Sequence, residues 1–533
     1  MTMPSPRTRW LRPLLCTAVA GVLLASAGER VAAQTVRVAV PTEPATIDPH
    51  TSVGGAYDIV QAVFDSLVKL DHDLEVIPRL AESWEQVDEV TWRFKLREGV
   101  TFHSGNPFDA EALKAWFDAM LDPADPSVNS GMLWMVDEVR TIDEHTVEVG
   151  LSDPFGPFLR TFALPHLVVY DAAERERLGD AFAEQPSGTG PFRLKEWRRG
   201  EALVLAANPD YREEGKPKVD ELEFRFIPDP GGRIAALEVG EIDIAYALPG
   251  HQIPRMEAID GVTPLRERVL RPIVWYFNVR NPVLSDVLVR RALVHAVDMN
   301  LIGETILEYG GEVLNGYITS GAYGALDMPF TYNPEYSAAL LEQAGWEKNG
   351  SGIYEKDGKP LNLTVQIGVD RYPDILAVGE AIQAQLREIG FDFQIQAIEQ
   401  STLEAGVTHA RRSTDELPSF DMVTWGHGIR DGQAYIPLTQ TYSVEGARGV
   451  GYQNSIGHYS NPQFDALMAI AVSPAPEEVQ LQAYHDAQRL LYADVPGLPL
   501  YSPLWVRGIR DGVAGYRLHP TEQEFWEELE LNR

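Results

Sequence analysis

One stretch of this chain leaves little freedom in how it can fold. "LNLTVQIGV" (residues 361–369) has the apolar and β-branched make-up of a strand. "DILAVGEAIQAQLREIG" repeats its apolar residues at helical spacing and ends at Gly390, and "FDFQIQAIE" reads as a second strand. Strand, helix and strand in so short a span make a β-α-β unit, whose two strands run parallel. An α/β protein is therefore expected. Next comes "STLEAGVTHARR", in which Ser401 and Glu404 have capping-box spacing. After it, "SFDMVTWGHGIRDGQ" runs an apolar strand over 420–425 straight into a glycine-broken loop. Ligands of open α/β sheets bind beyond the carboxyl ends of strands, so this loop is a candidate site on topology alone.

At 533 residues the chain can bury two or three cores. It opens with Arg7, Arg9 and Arg12, then an apolar run over 14–27, then small residues before Gln34, which is the order of a secretory signal peptide. Cleavage after Ala33 fits the small-residue rule, with Ala27 as the second choice. Cys16 lies at the start of the apolar run, whereas a lipid-bearing Cys should follow that run, so no lipid anchor is expected. Nothing after Gln34 approaches ~18 uninterrupted apolar residues, and a soluble periplasmic protein is the expectation. Removing residues 1–33 takes away four Arg, one Glu and the sole Cys, so the net charge of −33 becomes −36. Such a chain has no disulfide, no Cys nucleophile and no Cys metal ligand. Its acidity disfavours nucleic acid, whose binding needs basic patches.

Residues 96–117, "LREGVTFHSGNPFDAEALKAWF", gather Arg97, Glu98, His103, Ser104 and Asp109 in a way that imitates a catalytic cluster. The local pattern argues for scaffold. "VTWRFKL" alternates as a half-buried strand, "REG" turns, "VTFH" is expected to return as a strand, and Asp109 is placed to cap a helix from Ala110 to about Leu121. Adjacent strand residues face opposite sides of a sheet, so His103 and Ser104 do not make a base and nucleophile pair. Helices are also expected over 287–297 and 477–493, each with one apolar face.

The chain carries no G-x-x-x-x-G-K-[ST], H-E-x-x-H or G-x-S-x-G motif. "SLVK" (Ser66 to Lys69) matches the S-x-x-K of penicillin-binding enzymes, but no K-T-G accompanies it. The 12 histidines are scattered without metal-site spacing, so neither a protein metal cage nor a cofactor is expected. "SGTGPF" (residues 187–192) reads as a turn into a strand. A loop that presents Trp425, Arg430 and Asp431 offers a flat apolar face, a fork for a carboxylate and a partner for an ammonium group, which suits an amphoteric solute. His427 stands in the same loop. The rival class is an exported peptide-acting hydrolase or transpeptidase, for which the sequence offers no nucleophile and base in reach of each other.

Several segments in order resemble one family. "EPATIDPH", "LAESWE" followed by "WRFKLREGVTFHSGNPFDAE", "SGTGPFRLKEW", "NPDYREEGKPKVDELEFRFIPDP", "LEVGEID", "VRRALVHAVD" and "AGW" together resemble the large extracytoplasmic solute-binding proteins of ABC importers, in the peptide and nickel class. The resemblance implies a two-lobed periplasmic-binding-protein fold of type II with a third subdomain inserted in lobe I. It also implies a monomer that binds a short peptide or amino-acid-like or nickel chelate in an interlobe cleft and delivers it to ABC permease subunits. Mapped here, it implies lobe I over 34–275 with the insert at about 80–198, lobe II over 276–505, and a return over 506–533. The crossings fall near "RPIVWYFNV" (271–279) and "PLYSPLWVRG" (499–508).

"TWGHGIRDG", "ALPH" and "PTEQEF" are similar to the nickel-binding branch, and by position Tyr57, Trp425, Thr521 and a residue near Asn129 would line the cleft. At two places the chain departs from that branch. It has His166 where the branch has a carboxylate-holding Arg, and it lacks the aromatic near Asn129, for which Trp134 is the nearest substitute.

Overall fold

The structure, a computed structural model, describes residues 34–52, 57–369, 371–372, 374–413, 418–444 and 453–532. The signal peptide and Cys16 expected from the sequence lie outside the described residues.

The β-α-β unit forms as its pattern dictates. Strands Asn362–Gly368 and Asp392–Ile398 pair in parallel, with Leu363 opposite Phe393 and Val365 opposite Ile395. Between them the helix Ile375–Ile389 buries Ile375, Val378, Ile382 and Leu386, one stripe at spacings of three and four residues, and ends on Gly390 at a left-handed φ of 116°. Strand Met422–Gly426 joins this sheet in parallel and is hydrogen-bonded to Ile273–Phe277 on its other side. That strand has both faces buried: Ile273, Trp275 and Phe277 enter one core, Val274 and Tyr276 another.

Ile273–Phe277 in turn pairs with the 14-residue strand Gly497–Arg510, whose first half belongs to this sheet region. Its second half pairs with Ile244–Ala245 and Val262–Arg268. From there the sheet runs on through Thr35–Val40, Glu221–Phe226, Ala202–Ala207 and Phe192–Arg198. One strand therefore serves two lobes. The buried apolar residues separate accordingly: two cores are built from residues numbered below 270 and above 505, and two from residues between them.

A four-stranded antiparallel sheet made of Ala81–Asp88, Thr91–Leu96, Thr146–Leu151 and Val136–Asp143 stands apart from the long one and carries the helix Ala110–Leu121. Asp109 caps that helix as expected, accepting from the Ala112 N–H at 2.9 Å. The expected return strand at 100–103 does not form. Thr91–Leu96 already has partners on both edges, and beyond Gly99 (φ 72°) the chain turns to bury Phe102 against Phe108, ring centroids 5.8 Å apart.

His103 meets the Gly190 carbonyl at 3.0 Å, and Ser104 Oγ donates to Asp171 at 2.7 Å. The cluster is scaffold. Ser104→Ala should lower stability by about 1–3 kcal/mol, the cost of leaving a charged acceptor short of a donor, with solute affinity unchanged. Melting together with calorimetry checks this, and a loss of affinity without a loss of stability would contradict it.

Smaller differences are local. The expected strand 420–425 is Met422–Gly426, because Asp421 is held by Asn281 Nδ2 and the Thr364 N–H at 2.7 and 2.9 Å. The helix before it, Gln400–Arg412, starts before Ser401, so no capping box forms there. The helices expected over 287–297 and 477–493 are Val287–His295 and Glu477–Asp494. No helix among the described residues is long and apolar enough to cross a membrane.

Candidate functional site

The loop after Met422–Gly426 does not project into solvent. Arg430 donates from Nε to Glu522 Oε2 at 2.7 Å, and Arg271, two residues before strand Ile273–Phe277, donates to the other Glu522 oxygen. The three side chains are only 18%, 5% and 11% exposed for Arg430, Arg271 and Glu522. Gly428 makes the arrangement possible, because a Cβ there would stand 3.2 Å from Arg271 Nη2 and 3.3 Å from Arg430 Cζ. Burial alone would raise the Glu522 carboxyl, yet the two guanidinia hold it well below the usual carboxylate range.

Arg430 also lies over the Tyr57 ring, 5.0 Å from its centroid, and Tyr57 in turn packs on His166 with centroids 5.4 Å apart. Tyr57, His166 and Arg430 are thus brought together with Glu522, although they come from both lobes. Asp431, expected beside Arg430 as a ligand group, is buried. It is 2% exposed, accepts from the Gln433 N–H at 3.1 Å, and its carbonyl takes a bond from Arg160 at 3.3 Å. Burial pushes its carboxyl up to about 7.

Trp425 is half-buried on its strand opposite Val274, and the His427 N–H reaches the Pro272 carbonyl at 3.4 Å. Thr521 is buried, its hydroxyl 2.9 Å from His519 Nδ1. Asn129 donates to the Pro49 carbonyl at 3.1 Å. Trp134 is 43% exposed at the edge of a row in which Phe155 meets it at 5.6 Å and meets Tyr435 of the other lobe at 5.1 Å. The Gly156 N–H to Val472 carbonyl bond, 2.7 Å, closes the same rim.

Reading the sequence missed Arg271 and Glu522, along with Asp58, Arg507 and Glu524 on the lobe I side. A lone Arg inside an otherwise apolar crossing strand, as in "PLWVRG", is the one signal that could have found any of them. Ser66 and Lys69 of the S-x-x-K match do not face each other as nucleophile and base: Ser66 Oγ donates to the Val68 carbonyl at 2.6 Å and Lys69 Nζ to the Glu524 carbonyl. Among the described residues no group of three or more His, Cys, Asp or Glu is placed to hold a metal ion.

Burial, reinforced at His166 by Arg430 and at His427 by Arg411 and Arg430, pushes both imidazoles down to about 3. Between about 3 and the ordinary value of 6.5 the unfolded chain therefore binds more protons at these positions than the folded one. Their contribution is complete above pH 6.5 and is lost as pH falls. The melting temperature should drop on going from neutral to acid pH, and the drop should be smaller when His166→Gln and His427→Gln are combined. Identical slopes in the two proteins would contradict this.

A twisted sheet shared by two lobes through crossing strands, with charged and aromatic side chains of both lobes converging where the chain crosses, is the build of a two-lobed solute-binding protein. The chain belongs to the bacterial extracellular solute-binding proteins, family 5, whose Middle model matches residues 75–448. Its members are solute-binding proteins.

Among similar proteins, the nickel-binding periplasmic protein of Escherichia coli is 28% identical over 87% of this chain and 88% of its own. The oligopeptide-binding protein AppA of Bacillus subtilis is 26% identical over 87% and 85%. The crystal structure of NikA from Brucella suis in complex with Fe(III)-EDTA matches at a TM-score of 0.80 and 25% identity, over 93% of this chain and 99% of that one.

Proposed function

We propose that this solute receptor serves an ABC importer, holding a short peptide or an amino-acid-like or metal chelate between its lobes and handing it to the permease subunits in the inner membrane. It works in the periplasm as a monomer, released from its signal peptide and without a lipid anchor. Lobe I comprises residues 34–275 and 506–533, with an insert at about 80–198, and lobe II comprises 276–505. The separation of the buried cores supports that division.

The observation that carries the reading is the meeting of Tyr57, His166 and Glu522 with Arg430 across the two lobes. A solute touching both sides stabilises the closed arrangement, which is how ligand and closure are coupled. Among the described residues Arg430 uses only Nε, on Glu522, which leaves its two terminal nitrogens for a solute carboxylate, with His166 Nδ1 buried and without a described partner nearby. Trp425 and His427 form the lobe II wall, Asn129 and Trp134 stand at the rim, and Asp431 and Thr521 hold the two loops in shape. The relatives named for nickel and oligopeptides, and the one solved with Fe(III)-EDTA, fit a cleft for chelates or peptides.

Native mass spectrometry of the protein purified from its own periplasm tests the reading. A bound species of defined small mass is expected, and its loss on mild unfolding. A protein that carries nothing and retains neither peptides nor chelates would contradict it.

A further inference from the structure

Arg507 is the most anomalous side chain of the molecule. It is 5% exposed, yet its guanidinium makes no hydrogen bond or ion pair with any described residue, and Nε and Nη1 are buried without a partner. A buried guanidinium with no acceptor among the described residues is costly and calls for an explanation, a bound acceptor being one. What surrounds it has the same character. Its plane lies over the Tyr246 ring at 3.7 Å and near Trp505 at 5.1 Å. The Tyr246 hydroxyl donates to Glu524 Oε1 at 3.0 Å, the Tyr516 hydroxyl donates to Tyr246 at 2.7 Å, and Glu524 Oε2 is buried with no partner. The Asp58 carboxylate, electrostatically coupled to Arg507, has no side-chain hydrogen bond from any described residue either. Burial raises both carboxyls, Asp58 to about 6 and Glu524 to about 8, so Glu524 is the one held largely neutral at neutral pH.

Topology places this cluster where a ligand is expected. Thr35–Val40 and Ile244–Ala245 are parallel neighbours, and their carboxyl ends lead to the helix Tyr57–Val63, which carries Asp58, and to Tyr246. Arg507 comes from the crossing strand, one residue before Gly508, which pairs with Ala245. Tyr57, which touches Arg430, is the residue next to Asp58, so the cluster adjoins the interlobe site on its lobe I side.

We propose that Arg507 is a second ligand anchor, a subsite on lobe I that takes a solute carboxylate, with Asp58 and Glu524 accepting from an amino or amide N–H close to that carboxylate. Such a pairing is found at the end of a short peptide or in a free amino acid. A planar guanidinium fork offers two parallel N–H groups, which a carboxylate matches and a neutral amide does not. The inference rests on the receptor reading above and adds to it a place and a polarity for the solute.

The test uses the mature chain and an equimolar mixture of tripeptides. Native mass spectrometry identifies the member retained by the wild type, and calorimetry then compares that peptide with its C-terminal amide on the wild type, Arg507→Gln and Arg507→Lys. Expected are a loss of about 30-fold or more on amidation in the wild type, a similar loss for the free acid in Arg507→Gln, and no further loss when the two changes are combined. Melting of the ligand-free variant should be unchanged or higher, since an unpaired buried charge has been removed. If Arg507→Gln does not fold, Arg507→Lys, which keeps the charge and lacks the fork, carries the same comparison. Equal affinity in the wild type and the variants overturns the proposal and leaves the receptor reading intact. So does a wild type that ignores tripeptides while carrying another small mass. A wild type that retains neither overturns both.

Discussion

Glu522→Ala should destabilise the ligand-free protein by about 3–5 kcal/mol, among the largest effects of any single change at the lobe junction. The reason is asymmetric. The carboxylate is 11% exposed and is shared by Arg271 and Arg430, so its removal leaves two poorly solvated guanidinia without their common counter-charge. Glu522→Gln keeps the shape and one acceptor, and should fall between. The backbone adds a smaller term of its own, because Glu522 sits at a φ of 63°, which a non-glycine residue adopts at some cost.

Because the folded carboxyl titrates well below its ordinary value, the stability it supplies is present above that ordinary value and is lost as pH falls through the folded one. Chemical denaturation at neutral pH and at about pH 4 reads both effects. A Glu522→Ala protein as stable as the wild type would mean that the two arginines are solvated from elsewhere.

Arg430→Ala should weaken solute binding by about 2–4 kcal/mol, roughly 30-fold to 1,000-fold, as loss of a charge-assisted donor in a closed cleft does. The variant also frees Glu522 from one of its two partners while Arg271 remains, so its cost in stability should be smaller than that of Glu522→Ala. Trp425→Ala separates the remaining roles. If the half-buried ring faces the cleft, affinity falls and melting changes little. If it is structural, stability falls by about 3–5 kcal/mol, as for a truncated core aromatic. Normal affinity in Arg430→Ala together with an unstable Trp425→Ala would move the ligand away from this loop.

How much could be read from the sequence depended on whether the deciding contacts were local. The helix Ala110–Leu121 with its Asp109 cap and the β-α-β unit are set by neighbours within a few turns of chain, and their patterns reach the page directly. The crossings near 271–279 and 499–508 were placed through the family resemblance, and strands Ile273–Phe277 and Gly497–Arg510 lie in those stretches.

The site was legible only as a list of positions. Tyr57, His166 and Arg430 do meet, but nothing in "TWGHGIRDG" shows that Arg430 is answered by a carboxylate 92 residues later, or that its neighbour Asp431 turns inward to the Gln433 N–H. Arg271 and Arg507 were passed over for the same reason, since a charge at the end or in the middle of an apolar strand shows its meaning only once strands 200 residues apart are side by side. Periodicity reports which face of an element is buried and carries no record of what lies against it.

The central claim is that a solute draws the two lobes into the arrangement seen here, in which Arg430 meets Glu522 and Gly156 meets Val472 across the junction. Small-angle scattering of the mature chain, stripped of its co-purified solute and then saturated with it, measures this directly. The account predicts a larger radius of gyration for the stripped protein and, on saturation, a curve that matches the one calculated from this structure. Superimposable curves with binding confirmed by calorimetry would contradict it.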